Sequence, residues 1–210
     1  MVLSLVWGDH MARRRRRRKQ PLYEFKPDPK NFTFLKRLYM TRLQRMLLLK
    51  WATYVMTGVF LLVIQDVIMS GIRISGATTD LAAAFILLVG LYEGLENGSV
   101  FVLAASLFYW FSGSAPGPYV VALFCALSIF SGLWRQLFWH RSFGSICLCT
   151  AVSIMAYEML LFLIGIFLGL TIWPRAGIFA LTGLFTCIAM LPMYPLVRAI
   201  SQIGGVSWKE

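Results

Sequence analysis

The sequence predicts an all-α polytopic membrane protein with six transmembrane helices, and three observations support this prediction. Hydrophobic residues make up 59% of the 210 residues and charged residues only 14%, whereas an ordinary soluble domain carries roughly 25% charged residues. Apolar segments of helical length follow one another from position 47 to position 197. Fourteen of the twenty Lys and Arg residues lie in the first fifty positions, as expected for a cytoplasmic segment ahead of the first span.

The chain divides into three regions. Residues 1–45 are predicted to be a basic, largely disordered cytoplasmic tail, residues 46–198 the six-helix transmembrane domain, and residues 199–210 a short cytoplasmic tail. We place no weight on the first ten residues, since Met11 is a second candidate start. The tail contains a run of cations that we expect to contact anionic membrane lipid: Arg13, Arg14, Arg15, Arg16, Arg17, Arg18 and Lys19. This run lacks aromatic or folded readout elements, so nucleic acid is not an expected partner.

The six predicted spans follow from hydropathy and from polar breaks. They cover residues 47–68 and 80–95, two helices within the uncharged run 97–134, and residues 144–170 and 176–197. The second and third segments are short, so a re-entrant hairpin is the alternative to two full spans. We favour full spans, because a re-entrant tip would leave Glu93 and Glu96 at membrane depth, where unpaired carboxylates are costly.

The distribution of positive charge predicts the topology. With both termini in the cytoplasm, only Arg73 and Arg175 of the twenty basic residues fall outside. Lys and Arg near spans are retained on the cytoplasmic side, so this bias favours the proposed orientation. Tryptophans, which favour membrane interfaces, lie near predicted boundaries: Trp51, Trp134 and Trp139 inside, Trp110 and Trp173 outside.

Glu158 lies near the middle of the fifth predicted span, about 20 Å from either end at about 1.5 Å per residue. Ala151, Glu158, Gly165 and Gly169 share one helical stripe, and small residues let helices approach closely. We therefore expect this stripe to meet another helix. Glu158 is then either an ion or substrate contact or a polar clamp to a partner helix, or else a protonated structural acid.

A second stripe of small residues in the fourth span is a plausible mate for the first. It consists of Ala122, Cys125, Ser128 and Gly132 at helical spacing. We expect Ser128 and Gly132, like Glu158, Gly165 and Gly169, to contact a neighbouring helix or a partner protein.

No pattern in the chain indicates an enzyme, a metal site or a cofactor. The sequence lacks a paired nucleophile and base, an HExxH or GxSxG motif and a phosphate-binding glycine loop. The four cysteines lie in apolar stretches without CxxC spacing, which favours packing over disulfide or metal chemistry.

Several weak motifs, taken in order, resemble the MreD family of rod shape-determining membrane proteins over about residues 47–197. They are an Asp that opens the second helix (Asp80), an acid and glycine turn (Glu93 and Gly94), an outer Ser-Gly loop, and the fifth-helix acid Glu158. The outer loop contains four candidate contact residues: Ser112, Gly113, Pro116 and Gly117.

The resemblance implies a non-catalytic component of the bacterial cell-wall elongation machinery, located in the cell membrane. Its implied partners are MreC, the MreB filament, and the SEDS glycosyltransferase with its class B penicillin-binding protein. Proteins similar to MreD also resemble the six-helix substrate-binding subunits of energy-coupling-factor vitamin transporters. That is the alternative function, with a ligand pocket formed near the outer loop, Trp110 and Trp173.

Overall fold

The computed structural model describes residues 42–71, 75–138 and 143–203, and in this part of the chain it contains six α-helices. Long apolar stretches form the helices, and glycine, proline and serine occupy the breaks. The helices are α1 (Arg42–Val67), α2 (Leu81–Glu93), α3 (Leu95–Phe111), α4 (Tyr119–Phe138), α5 (Phe143–Phe167) and α6 (Ala176–Ser201). Short 3-10 helices follow α1 (Met69–Gly71) and precede α6 (Trp173–Arg175).

Three of these helices are long and apolar enough to cross a membrane. They correspond to Gln44–Val67, Phe143–Phe167 and Trp173–Ser201, where the last segment joins the second 3-10 helix to α6. The other three helices are apolar but shorter. At about 1.5 Å per residue, the 13 residues of α2 extend only about 20 Å, against about 30 Å for a bilayer core.

The shortest helix is at the centre of the bundle. Eleven consecutive residues of α2, from Leu81 to Leu91, are buried, and α2 packs against each of the other five described helices. A helix that is apolar all round needs such an environment. Protein therefore surrounds α2, and its length need not match the thickness of a bilayer.

A tight hairpin joins α2 and α3 through one residue. Gly94 has a φ of +92°, a conformation that glycine adopts without the steric cost of a Cβ atom. The two helices approach so closely that a Cβ atom at Gly98 would lie 2.1 Å from the carbonyl oxygen of Gly90. Gly94 makes the reversal possible, and Gly98 allows the contact between the two helices.

The C-terminus of α5 is a Schellman motif. Gly169 has a φ of +69°; its N–H donates to the carbonyl of Ile166, and the N–H of Leu170 donates to that of Gly165. This pairing is the one that satisfies the last carbonyl groups of a helix. Gly169 therefore lies outside the helix, and a Cβ atom there would meet nothing within 4 Å. Gly169 thus ends α5, and its expected contact with a partner protein stays a prediction.

Large apolar side chains cover much of the bundle surface. Exposed examples occur on five of the helices, and they include Met56, Val100, Phe130, Val152, Phe167 and Ile188. Water solvates such a surface poorly, whereas the hydrocarbon of a membrane solvates it well. The surface and the three long apolar helices fit a membrane protein.

Candidate functional site

Asp80 organises the N-terminal end of the central helix. Its carboxylate accepts a hydrogen bond from the N–H of Ala83 (2.9 Å) and another from the phenol of Tyr109 on α3 (2.8 Å). Its own N–H donates to the Thr186 hydroxyl on α6 (3.0 Å). Asp80 is thus a helix cap that also ties α2 to α3 and α6.

A side chain from the first helix completes this cap. The N–H of Ala82 donates to the amide oxygen of Gln65 at 2.8 Å. The first N–H groups of a helix have no partner within the helix, so Asp80 and Gln65 together satisfy two of them. We refer to the end of the bundle that contains these residues as the Asp80 end.

A cavity of about 420 Å³ opens at the Asp80 end. Polar side chains and apolar side chains both line it, and they come from α1, α3, α5, α6 and the connecting loops. The lining comprises Gln65, Asp66, Met69, Gly76, Thr78, Thr79, Asp80, Tyr109, Ser114, Pro116, Tyr157, Glu158, Leu161, Ile178, Phe179 and Thr182. This volume suits a small molecule.

Glu158 of α5 lies in the cavity wall with 4% of its surface exposed. It packs beside Gly183 of α6, where a Cβ atom would lie 3.3 Å from Glu158 Cγ. On the same face, the Cys187 thiol donates to the Ala151 carbonyl at 3.6 Å. The stripe that contains Glu158 therefore contacts α6.

Within the described part of the chain, the Glu158 carboxylate makes neither a hydrogen bond nor an ion pair. The neighbouring Tyr157 is fully buried and interacts with Tyr109 through its hydroxyl. The Tyr157 ring stacks on Phe124 at a centroid distance of 4.6 Å, which holds its position. Within the described residues, the Glu158 carboxylate is thus a buried polar group without a partner, a situation that native proteins usually avoid.

The predicted outer loop contributes to the cavity through only two residues, Ser114 and Pro116. The Ser114 hydroxyl donates to both carboxylate oxygens of Asp66 at the end of α1, at 2.9 and 3.1 Å. The Ser112 hydroxyl donates to the carbonyl of Tyr109 (2.7 Å) and lies 3.0 Å from the Ser114 hydroxyl.

The two glycines among the four predicted loop residues, Gly113 and Gly117, determine the path of the backbone. Gly113 has a φ of +80°, and a Cβ atom at Gly117 would clash with the Tyr119 ring at 2.5 Å. Trp110 and Trp173, which we expected to form pocket walls, do not line the cavity.

The remaining predicted contact residues lie elsewhere in the fold. Gly165 packs under Thr171 at the end of α5. A Cβ atom at Gly90 would lie 2.9 Å from the Ser128 hydroxyl, and one at Gly132 would lie 3.1 Å from Leu95. The second stripe thus faces the α2–α3 hairpin, not the stripe that contains Glu158. The basic run 13–19 is outside the described residues.

A second polar cluster lies at the opposite end of α2, which we call the Glu93 end. The Glu93 carboxylate forms a salt bridge with Lys50 of α1, and their side chains are 5% and 13% exposed. The Tyr54 hydroxyl, also on α1, donates to Glu93 at 2.6 Å and lies 3.3 Å from the carbonyl oxygen of Val197 on α6. The sequence pattern predicted Glu93 only as a turn residue and did not predict this pair.

These arrangements define the class of protein: a helical bundle, suited to a membrane, with a polar cavity at one end. No group of three His, Cys, Asp or Glu residues in the described ranges is placed to hold a metal ion. No protein-family model, curated protein or solved structure matches the chain.

Proposed function

We propose that this chain is a non-catalytic membrane scaffold of the bacterial cell-wall elongation complex, involved in rod shape determination. In this proposal all six helices cross the cell membrane, with both termini in the cytoplasm. The chain contacts MreC, MreB and the SEDS and penicillin-binding elongation enzymes through helix faces and the outer loop. The proposal rests on the resemblance to the MreD family, and one feature of the bundle surface supports it.

That feature is an apolar groove between α4 and α5, with a volume of about 320 Å³. Small residues line it, among them Ser131, Ser153 and Ala156, and large exposed side chains flank them, such as Phe130 (64% exposed) and Val152 (59% exposed). Helices associate in membranes where small residues permit close approach. The groove therefore suits a transmembrane helix of a partner protein.

The motifs behind the resemblance occupy positions that shape the bundle. Asp80 caps α2, Gly94 reverses the chain between α2 and α3, and Ser112 follows the end of α3. A shared order of such residues favours a shared helical arrangement. The shared order of motif residues therefore supports the helical arrangement that the scaffold proposal assumes. The groove supports the proposed contact with a partner helix.

A purification experiment tests the proposal. The full-length chain is isolated from detergent-solubilised membranes of its native host, and we expect MreC and elongation enzymes to accompany it. The variant Ala156→Phe fills the groove, so it should reduce at least tenfold the recovery of the partner protein whose helix binds there. The control variant Ala52→Phe adds the same ring at an exposed position on α1 and should leave recovery unchanged. Equal recovery with both variants would contradict the role of the groove.

The second candidate function is the substrate-binding subunit of an energy-coupling-factor vitamin transporter. The cavity at the Asp80 end favours it, since two of its walls, Ser114 and Pro116, belong to the loop expected to form a ligand pocket. The same purification separates the two functions. Recovery of paired ATPases together with a bound vitamin would support the transporter and exclude the scaffold.

A further inference from the structure

We propose that the cavity at the Asp80 end binds a small organic ammonium ion, a protonated amine that carries an apolar group. The proposal concerns a ligand that the scaffold function does not require. It stands on the cavity, on the acidic side chains of its lining and on the buried Glu158 carboxylate, which has no partner among the described residues.

The cavity lining is acidic. Three carboxylates line it, from Asp66, Asp80 and Glu158, and none of its described lining residues is Lys or Arg. Two of these carboxylates already have partners in the protein. Asp80 accepts from a helix N–H and from Tyr109, and Asp66 accepts from Ser114. Acidic side chains with no cation beside them in the described lining favour a cationic ligand over an anionic one.

Glu158 supplies the binding group. It is 4% exposed, and its carboxylate has no hydrogen-bond or ion-pair partner within the described residues. A buried carboxylate is costly unless it is paired. An ammonium group, with up to three N–H donors, can donate to the Glu158 carboxylate.

The size and walls of the cavity favour an organic cation over a metal ion. A volume of about 420 Å³ greatly exceeds that of a bare ion, and no group of three His, Cys, Asp or Glu side chains among the described residues is placed to hold a metal ion. Met69, Leu161, Ile178 and Phe179 form apolar parts of the wall. They can enclose a hydrocarbon group, and an aromatic ring such as that of Phe179 also attracts cations.

Isothermal titration of the purified full-length chain in detergent tests the proposal. The probes are the amines benzylamine, cyclohexylamine and ethanolamine, each at pH 7 and constant ionic strength. Benzyl alcohol and benzoate serve as neutral and anionic counterparts of the first probe. We expect at least one amine to bind, with tighter binding for an amine that carries a ring, and no binding of benzyl alcohol or benzoate.

One variant and its control test the assigned group. Glu158→Gln should weaken binding of the amine at least tenfold, whereas Glu96→Gln, at an exposed position on α3, should not change it.

Three results would overturn the proposal. They are no binding by any of the three amines, binding that Glu158→Gln leaves unchanged, and equal binding of benzyl alcohol. Heat released by sodium chloride alone, at the level seen with the amines, would assign the cavity to an inorganic cation instead. None of these results bears on partner recovery through the groove, so the ligand and the scaffold proposals fail separately.

Discussion

The salt bridge at the Glu93 end offers a direct test of what holds the central helix in place. Lys50 of α1 pairs with Glu93 at the last turn of α2, and both side chains are largely removed from solvent. We predict that Lys50→Met strongly destabilises the bundle, because it leaves the Glu93 carboxylate buried with only the Tyr54 phenol as a described partner.

The expected size of the effect follows from burial. Removing one member of a buried ion pair costs about 3–5 kcal/mol. We take the lower limit, about 3 kcal/mol, because Lys50 keeps 13% exposure and Tyr54 still donates to Glu93. Since about 1.4 kcal/mol corresponds to a factor of ten, the unfolding equilibrium constant should rise roughly 150-fold.

A double-mutant cycle isolates the interaction. Unfolding of the full-length chain in mixed micelles is followed by tryptophan fluorescence as the fraction of denaturing detergent rises. We expect Lys50→Met and Glu93→Gln each to cost about 3 kcal/mol. The double variant should cost no more than either single variant, because no unpaired charge remains. The coupling energy would then be about 3 kcal/mol, within the range for residues in direct contact.

Arg198→Met is the matched control, because it removes an exposed cation from α6, one residue after Val197 at the same end of the bundle. It should change stability by less than about 0.5 kcal/mol. A coupling energy below about 0.5 kcal/mol between Lys50 and Glu93 would refute the reasoning. The pair would then behave like an exposed ion pair, and the central position of α2 would depend on apolar packing alone.

Three further predictions concern the helix ends and the hairpin. Gly98→Ala should lower the free energy of unfolding by at least about 3 kcal/mol through overpacking, because the added Cβ atom would overlap the Gly90 carbonyl. In the same unfolding assay, Gly177→Ala should be neutral or slightly stabilising, because a Cβ atom there would meet nothing within 4 Å. Asp80→Ala should lower the free energy of unfolding by about 2–4 kcal/mol, because it removes a helix cap and the acceptor for a buried phenol. Asp80→Asn should lower it by no more than half as much. Equal destabilisation by the two variants would contradict the capping role. Gly169→Ala should lower the free energy of unfolding by about 1–2 kcal/mol because of the left-handed backbone at this residue, and it should not change partner recovery. A loss of partner recovery at unchanged stability would instead support a role of Gly169 in partner contacts.

The sequence was sufficient to predict the helices, because hydropathy and breaking residues are local properties. The predicted segment 144–170 corresponds to Phe143–Phe167, and the predicted segment 176–197 to Ala176–Ser201. Glycine and proline also located the turns. The predicted second segment ended two residues late, at 95, because a single glycine, Gly94, is enough to reverse the chain.

The sequence predicted less of the candidate site. It singled out Glu158 by its depth in a span, and Asp80 by its place at the start of a helix. It did not reveal that both line one cavity with Tyr157, because these residues are brought together by the packing of α5 against α2 and α6. Aromatic residues are common in apolar spans, so Tyr157 and Tyr109 carried no distinguishing signal.

By itself, the sequence determined that the chain forms apolar helices and roughly where the breaks between them fall. Only the tertiary structure decided that the shortest helix is central, that Lys50 pairs with Glu93 across 43 positions, and that a cavity remains beside Glu158. The physical reason is that hydropathy and helix propensity act over a few residues. The partner of a buried charge, and the space left between helices, depend on how separate segments pack.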